Sequence, residues 1–415
     1  MSNIELPPEK LTRQMILKGF EVPVVFKGFI NDWELLSWDL DNWAQKLGDA
    51  VLPFRSGCRK FTKEPQWEGS CQKINLTMKE FVEWVHMREN AASDESDRWM
   101  YFDYKYMNEW FAQQPSILNA VTWKNFGFPE RGGADSTIWI GSDGAHTPCH
   151  MDVYGCNLVA QLYGRKQWIL FPPDKITNLL PTRIPYEESS IYSNLNFYSP
   201  DPDLANDLQE AYVVTLNPGE VLFVPHHWWH FVQNLGTAVS INSWIPLPSD
   251  DESRLEEALV RFFVSQVCKG LSEQELCVLL NPNEENLVED PVSKLVQQIE
   301  VCREICQQKS ASIGDFMLDA TSSKKPKLVK DSETQFYGET SEEDFLSKFK
   351  NFISIVPKYS AAHCRSLLHE KWKQFTLQKK ETALAADDNK LLDVVNAFCH
   401  PDVIAKVKDR ILSKK

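Results

Sequence analysis

The chain holds 415 residues, which at about 150 per domain allows two or three units and a sizeable buried core. Hydrophobic residues make up 43% and charged ones 25%, the range of a folded globular protein and not of a disordered one. A net charge of −14 sets the surface against phosphate backbones, so nucleic acid is not an expected partner.

Residues 1–98 read as an α/β segment. Glu5, Glu9, Lys10, Arg13 and Lys18 stand where a secretory signal carries its apolar run. VPVVFKG (22–28) and AVLPFRSG (50–57) are strand-like, and DLDNWAQKLG (39–48) is a short helix that Gly48 stops. Thr77 and Glu80 form a capping box that opens the helix KEFVEWVHM. WMYFDYKYM (99–107) is an aromatic-rich strand and begins a unit over 99–248 whose character is all-β from 136 to 246. Its further strands are STIWIGS, NLVAQLYG, KQWILFPP, AYVVTL, EVLFVP and AVSINSW, with tight turns at Gly164-Arg165 and Asn217-Pro218-Gly219. The proline-rich stretch 172–208 reads as a long irregular insertion, a frequent place for substrate loops. Residues 249–308 turn helical in SDDESRLEEALVRFFVSQVCKG and PVSKLVQQIEVCREICQQ, with Cys302 and Cys306 on a packed face. Residues 309–340 are polar and read as a flexible linker, in which Lys324-Lys325-Pro326-Lys327 suits nuclear entry. Residues 341–415 read as further amphipathic helices, EEDFLSKFKNFISIV, AAHCRSLLHEKWKQF and LLDVVNAF. No apolar run approaches the roughly 18 residues of a membrane helix, so no membrane partner is expected. None of the ten cysteines forms a C-x-x-C pair, which argues against zinc fingers and for thiols in a cytoplasmic setting.

Chemistry concentrates around GSDGAHTPCHMDVYGC and NPGEVLFVPHHWWHFVQNLG. His150 and Asp152 are two apart, and on a strand they project from one face, about 6–7 Å apart along the backbone. His230, arriving on another strand of the barrel, completes a set of two imidazoles and one carboxylate. Such a set holds a metal with neighbouring coordination positions left open, as non-haem Fe(II) oxygenases need. The open positions suit a bidentate 2-oxo acid and O2, although ligand type alone leaves other divalent metals open. A 2-oxo diacid also needs a cation for its far carboxylate, which Lys166 can supply. Arg165 faces the other way on a regular strand, and a one-residue slip exchanges the two. Thr147, Asn157 and Asn242 are polar groups in apolar strands and need partners that a bound co-substrate could supply. The plain alternatives are a metal-free hydrogen-bonded cluster for the triad and a solvated hairpin position for Lys166. His226 and His227 read as strand-end residues or pocket lining, and His146 as a loop residue. Trp228 and Trp229 read as core or as a substrate platform, while Cys149 and Cys156 read as small buried hydrophobes.

The runs T-P-x-H-x-D, N-L-x-x-Q-L-x-G-x-K-x-W-x-L-F-P-P and P-G-E-V-L-F-V-P-x-x-W-W-H resemble the JmjC family of 2-oxoglutarate oxygenases over roughly residues 99–246. Within it they are most similar to the protein hydroxylase branch. The resemblance implies a mainly β fold with α elements: a double-stranded β-helix (a cupin-like jelly roll) with N-terminal α/β elements and a C-terminal helical region. It implies Fe(II) on His150, Asp152 and His230, with 2-oxoglutarate and O2 as co-substrates. Lys166 then pairs with the far carboxylate of 2-oxoglutarate, assisted by Thr147 and Tyr101, and Asn157 and Asn242 sit beside metal and co-substrate. The expected reaction is hydroxylation of a protein side chain. The chain also resembles JmjC proteins that associate with a small heat-shock protein. That makes a catalytically weak scaffold for such a partner, in the stress response, the second reading. The helices after 250 then offer a partner or homodimer surface, or pack on the barrel.

Overall fold

The computed structural model describes residues 5–90, 97–201, 210–319, 340–376 and 390–413. β1 (Val24–Lys27), β2 (Val51–Cys58), β3 (Gln72–Thr77) and β4 (Arg98–Tyr106) lie in the N-terminal third. Two helices between them begin where side chains can take up free backbone donors. Helix Leu40–Leu47 starts on Asp39, whose carboxylate accepts from the Asn42 N–H at 2.8 Å, and ends at Gly48 with φ 54°. Helix Met78–Asn90 starts on Thr77, whose N–H donates to Glu80 at 2.7 Å while the Glu80 N–H returns to the Thr77 hydroxyl at 3.2 Å. Such caps contribute about 1 kcal/mol each.

The barrel comprises β5 (Thr137–Gly141), β6 (His146–Asp152), β7 (Cys156–Phe171), β8 (Ser190–Ser193), β9 (Ala211–Leu216), β10 (Glu220–Val224) and β11 (Trp229–Ile245). β7 and β11 pair antiparallel from Trp229↔Phe171 to Ile245↔Cys156, and both bend midway, so each belongs to two sheets. One sheet runs β1–β10–β7–β11–β5–β4–β2–β3, through the first half of β7 and the second half of β11. The other runs β9–β7–β11–β6–β8 through the remaining halves. Gly164 makes the bend possible, because its φ is +62° and a Cβ there would meet the Thr237 carbonyl oxygen at 1.9 Å. The result is a mainly β jelly roll carrying helices.

Three local readings of the sequence change. Gly164-Arg165 does not join a hairpin; it bends one continuous strand, because β11 continues as its partner on both sides. The ISI of EEDFLSKFKNFISIV is no helix: after the helix Glu342–Lys348, Ile353–Ile355 forms β12 and adds to the free edge of β1. β-branched residues beside an open strand edge gain a backbone ladder that an isolated helical turn lacks. His146 is not in a loop but is the first residue of β6, buried and stacked on Tyr198 at 4.0 Å. The helix Val292–Asp319 also continues past 308, and Lys324–Lys327 lie outside the described residues.

The helix Asp250–Cys268 and the helices Lys390–Phe398 and Pro401–Leu412 share an apolar cluster with Ile184 and Tyr186 of the insertion. Helix Ala361–Thr376 covers the other face of the barrel through Cys364, Leu368 and Phe375. Among the described residues no helix is long and apolar enough to cross a membrane.

Candidate active site

His150 and His230 stand directly opposite each other on β6 and β11, with ring centroids 4.2 Å apart. Asp152 lies two residues beyond His150 on the same face, and ligand atoms of the three all fall within 4.8 Å of one another. The Nδ1 of His150 lies 2.9 Å from the Pro148 carbonyl and that of His230 lies 3.0 Å from the Trp228 carbonyl. A carbonyl only accepts, so each Nδ1 carries the proton and each Nε2 presents a lone pair. Those Nε2 atoms lie 3.6 and 4.0 Å from the Asp152 oxygens. The Trp244 indole donates to Asp152 Oδ2 at 2.9 Å and the Asn157 amide at 3.4 Å, which fixes the carboxylate. Burial opposes ionisation of Asp152, yet the contacts with His150, His230 and Trp244 hold its carboxyl well below the usual range. Burial, and then His150, pushes His230 down to about 4, so its imidazole is neutral at pH 7.

The loop after Asp152 is tied at both ends. The carboxylate of buried Asp250 accepts from the Gly155 N–H at 2.8 Å. His226 Nδ1 and His227 Nε2 lie 2.8 and 3.3 Å from the carbonyls of Gly155 and Val153. His227 has φ +62°, an uncommon backbone for a side chain of this size. Both histidines brace this loop and are absent from the cavity wall.

A cavity of about 510 Å³ opens beside the triad, and the eight residues expected to hold metal or co-substrate all line it: Tyr101, Thr147, His150, Asp152, Asn157, Lys166, His230 and Asn242. Lys166 points inward with 2% exposure, and Arg165 is exposed, as regular alternation expects. Its ammonium donates to Ser240 Oγ at 2.6 Å and to the Tyr101 hydroxyl at 3.1 Å, and Tyr101 also interacts with Thr147. No carboxylate pairs with it among the described residues, and burial lowers it to about 7. Asn242 donates to Asn157 Oδ1 at 2.9 Å and accepts from the Trp139 indole at 2.7 Å. Trp228 and Trp229 are core, at 5% and 0% exposure. Burial raises the Cys149 thiol and pushes that of Cys156 up to about 12, as inert hydrophobes.

The sequence reading missed Ser240 and the acidic wall from the insertion. Ser240 had a visible signal: with Asn242 it makes two polar residues at i and i+2 inside an apolar strand. Glu187 and Glu188 had none, because β8 and the loop before it carry no periodic pattern. Tyr192 of β8 pairs with His150 of β6, which brings the insertion over the triad.

The cupin-like domain family matches residues 8–250 of this chain. The chain belongs to the cupin-like domain family. It is 42% identical over 285 residues to HSPB1-associated protein 1 of Bos taurus, covering 67% of this chain and 58% of that protein. It is 40% identical over 318 residues to the HSPB1-associated protein 1 homolog of Danio rerio, covering 74% and 70%. Jumonji C domain-containing protein 5 of Drosophila melanogaster is 27% identical over 237 residues, covering 55% of this chain and 56% of that protein. The chain thus spans little more than half the length of its mammalian relatives. These cupin-like and JmjC matches agree with the family that the motifs around His150, Lys166 and His230 resemble.

Proposed function

We propose that this chain is an Fe(II)- and 2-oxoglutarate-dependent oxygenase that hydroxylates a protein side chain. One juxtaposition supports the reading: three side chains able to hold a metal and a buried ammonium with no ion-pair partner among the described residues line the same cavity. Their chemistry fits the two groups. The Nε2 atoms of His150 and His230 and an oxygen of Asp152 would hold the iron; Lys166, with Tyr101, Ser240 and Thr147, would bind the far carboxylate of 2-oxoglutarate. When bound, iron and 2-oxoglutarate activate O2 through oxidative decarboxylation of the co-substrate and supply one oxygen atom to a C–H bond.

The chain's own part is placement and exclusion of water. Pro148 and Trp228 fix the imidazole tautomers, and Trp244 and Asn157 fix the aspartate. Trp139, Val159, Trp168 and Val232 make the inner wall apolar, so the single ammonium acts on an anion with little solvent screening. None of the ten cysteines is joined in a disulfide among the described residues, in keeping with a reducing compartment such as the cytoplasm.

The bovine and zebrafish relatives are named for association with HSPB1, and that favours a second reading, a weakly catalytic scaffold for a small heat-shock protein. A scaffold needs neither the triad nor Lys166. Anaerobic titration of Fe(II) with 2-oxoglutarate separates the two readings through the weak metal-to-ligand absorption band. The oxygenase reading expects the band in the wild type and none in His150→Ala, together with succinate formed in air. No band in either protein leaves the scaffold.

A further inference from the structure

We propose that a second cavity, behind the wall that carries Asp152, binds a small organic dicarboxylate between the guanidiniums of Arg131 and Arg254. The site lies apart from the triad and does not depend on the oxygenase reading.

This cavity measures about 280 Å³ and lies where the loop at Gly155 and the end of β11 meet the helices Asp250–Cys268 and Val292–Asp319. Arg131, Trp244, Pro246, Arg254, Gln298 and Cys302 are among its walls. Tyr154, Glu188 and Trp244 line both cavities, so the two lie back to back. The charges of the wall are unevenly committed. Asp250 is buried, and its two oxygens accept from the N–H groups of Gly155 at 2.8 Å and Leu247 at 2.9 Å. Glu188 is paired with Arg261 at 3.0 Å. The arginines are less well matched. Arg131 donates only to neutral acceptors, the Ser243 hydroxyl at 3.3 Å and the Trp244 carbonyl at 2.6 Å, and has no ion pair among the described residues. Those bonds hold the guanidinium in place and use two of its five N–H donors. Arg254 gives one nitrogen to Asp251 at 3.0 Å and lies 5.5 Å from the Tyr154 ring, and its other terminal nitrogen is unengaged among the described residues. The protein thus supplies the cavity and fixed cationic donors but not the anion.

The donors and the space together favour a dicarboxylate. A guanidinium edge matches a carboxylate with parallel hydrogen bonds, and two arginines from distant parts of the chain take one carboxylate each. A compact inorganic anion fills little of 280 Å³, whereas a dicarboxylate also lays its carbon chain on Trp244 and Pro246. Gln298 is exposed and adds a carboxamide with no hydrogen-bond partner among the described residues. The position suits an occupant that senses the larger cavity. Trp244 donates to Asp152 at 2.9 Å and Asp250 holds the loop at Gly155, so the occupant rests on the residues that fix the Asp152 carboxylate and the loop after it.

The test titrates the full chain by calorimetry with glutarate, its neutral isostere glutaramide and inorganic phosphate. Lys166→Met removes carboxylate binding from the larger cavity, so glutarate that this variant still binds belongs elsewhere. In that variant glutarate should bind about tenfold more tightly than glutaramide, the scale of a charge-assisted bond, and more tightly than phosphate. Adding Arg131→Gln or Arg254→Gln should each remove most of that preference, and added salt should weaken glutarate but not glutaramide. Equal binding of glutarate and glutaramide, phosphate binding as tight as glutarate, a preference that survives both arginine substitutions, or no glutarate binding at millimolar concentration overturns the proposal. If Arg131→Gln fails to fold, the exposed Arg254 and the ratio of the three ligands still decide. In the wild type, one class of glutarate site that Arg131→Gln abolishes and Lys166→Met leaves intact supports this proposal and sinks the role given to Lys166.

Discussion

Replacing Lys166 by methionine should make the ligand-free protein more stable while abolishing binding of the diacid. The ammonium sits at 2% exposure with two hydroxyls and, among the described residues, no carboxylate at ion-pair distance, and burial, opposed by Asp103, takes it from 10.5 to about 7. In the unfolded chain the group is fully protonated at pH 7, so folding works against a penalty of roughly 4 kcal/mol at that pH. Methionine fills a similar volume without the charge, and the two lost hydrogen bonds cost about 1 kcal/mol each. A net gain of about 2 kcal/mol at pH 7 follows. The sign with pH is fixed: between about 7 and 10.5 the unfolded state binds more protons than the folded one, so wild-type stability rises across that range. Lys371, also lowered to about 7 by burial, adds a like slope, and Lys166→Met should remove only its own share. Urea unfolding followed by tryptophan fluorescence at pH 7 and 9, with calorimetric titration of 2-oxoglutarate, measures all of this. A variant less stable than wild type at pH 7 would refute the reasoning, because Lys166 would then be a structural group and not one awaiting an anion.

Other outcomes follow from the walls of the site. Arg183 and Glu257, at 2% and 3% exposure, form a bidentate pair at 2.7 Å between the insertion and helix Asp250–Cys268. Glu257→Gln should cost about 3–5 kcal/mol in urea unfolding, and Arg183→Met with Glu257→Leu should recover most of it. Burial, with Glu68 adding, raises Glu187 from 4.5 to about 7, so the folded state holds the extra proton and stability falls as pH rises through that window. Glu187→Gln should therefore gain on the wild type by up to about 3 kcal/mol between pH 5 and pH 8, read as a growing difference in Tm. Gly164→Ala should lose more than about 2 kcal/mol, since its Cβ meets the Thr237 carbonyl at 1.9 Å; Gly219→Ala, at φ +88° with open space around it, should lose only about 1 kcal/mol. Equal urea midpoints for the two glycine variants would show that the barrel bend tolerates a side chain.

Where one face of a strand is buried, alternation and spacing decided the answer in advance. His150 and Asp152 share a face because they are two apart, and Lys166 points inward while Arg165 does not because successive side chains alternate. The caps at Asp39 and Thr77 are likewise local, set by side chains three residues from their partners. Backbone that has to find a distant partner was another matter. Whether Gly164 turns the chain or only bends it depends on β11, some seventy residues away, continuing alongside it. Whether Ile353–Ile355 is a helix end or a strand depends on the free edge of β1. The placement of Glu68, Glu187 and Asn281 around one opening depends on three segments with no common pattern, joined by the Arg183–Glu257 pair and the Tyr192↔His150 ladder. The order of residues along a strand thus determined which groups face the cavity. Long-range packing alone decided what surrounds them, because side-chain direction is a local property of the backbone and proximity between distant segments is not.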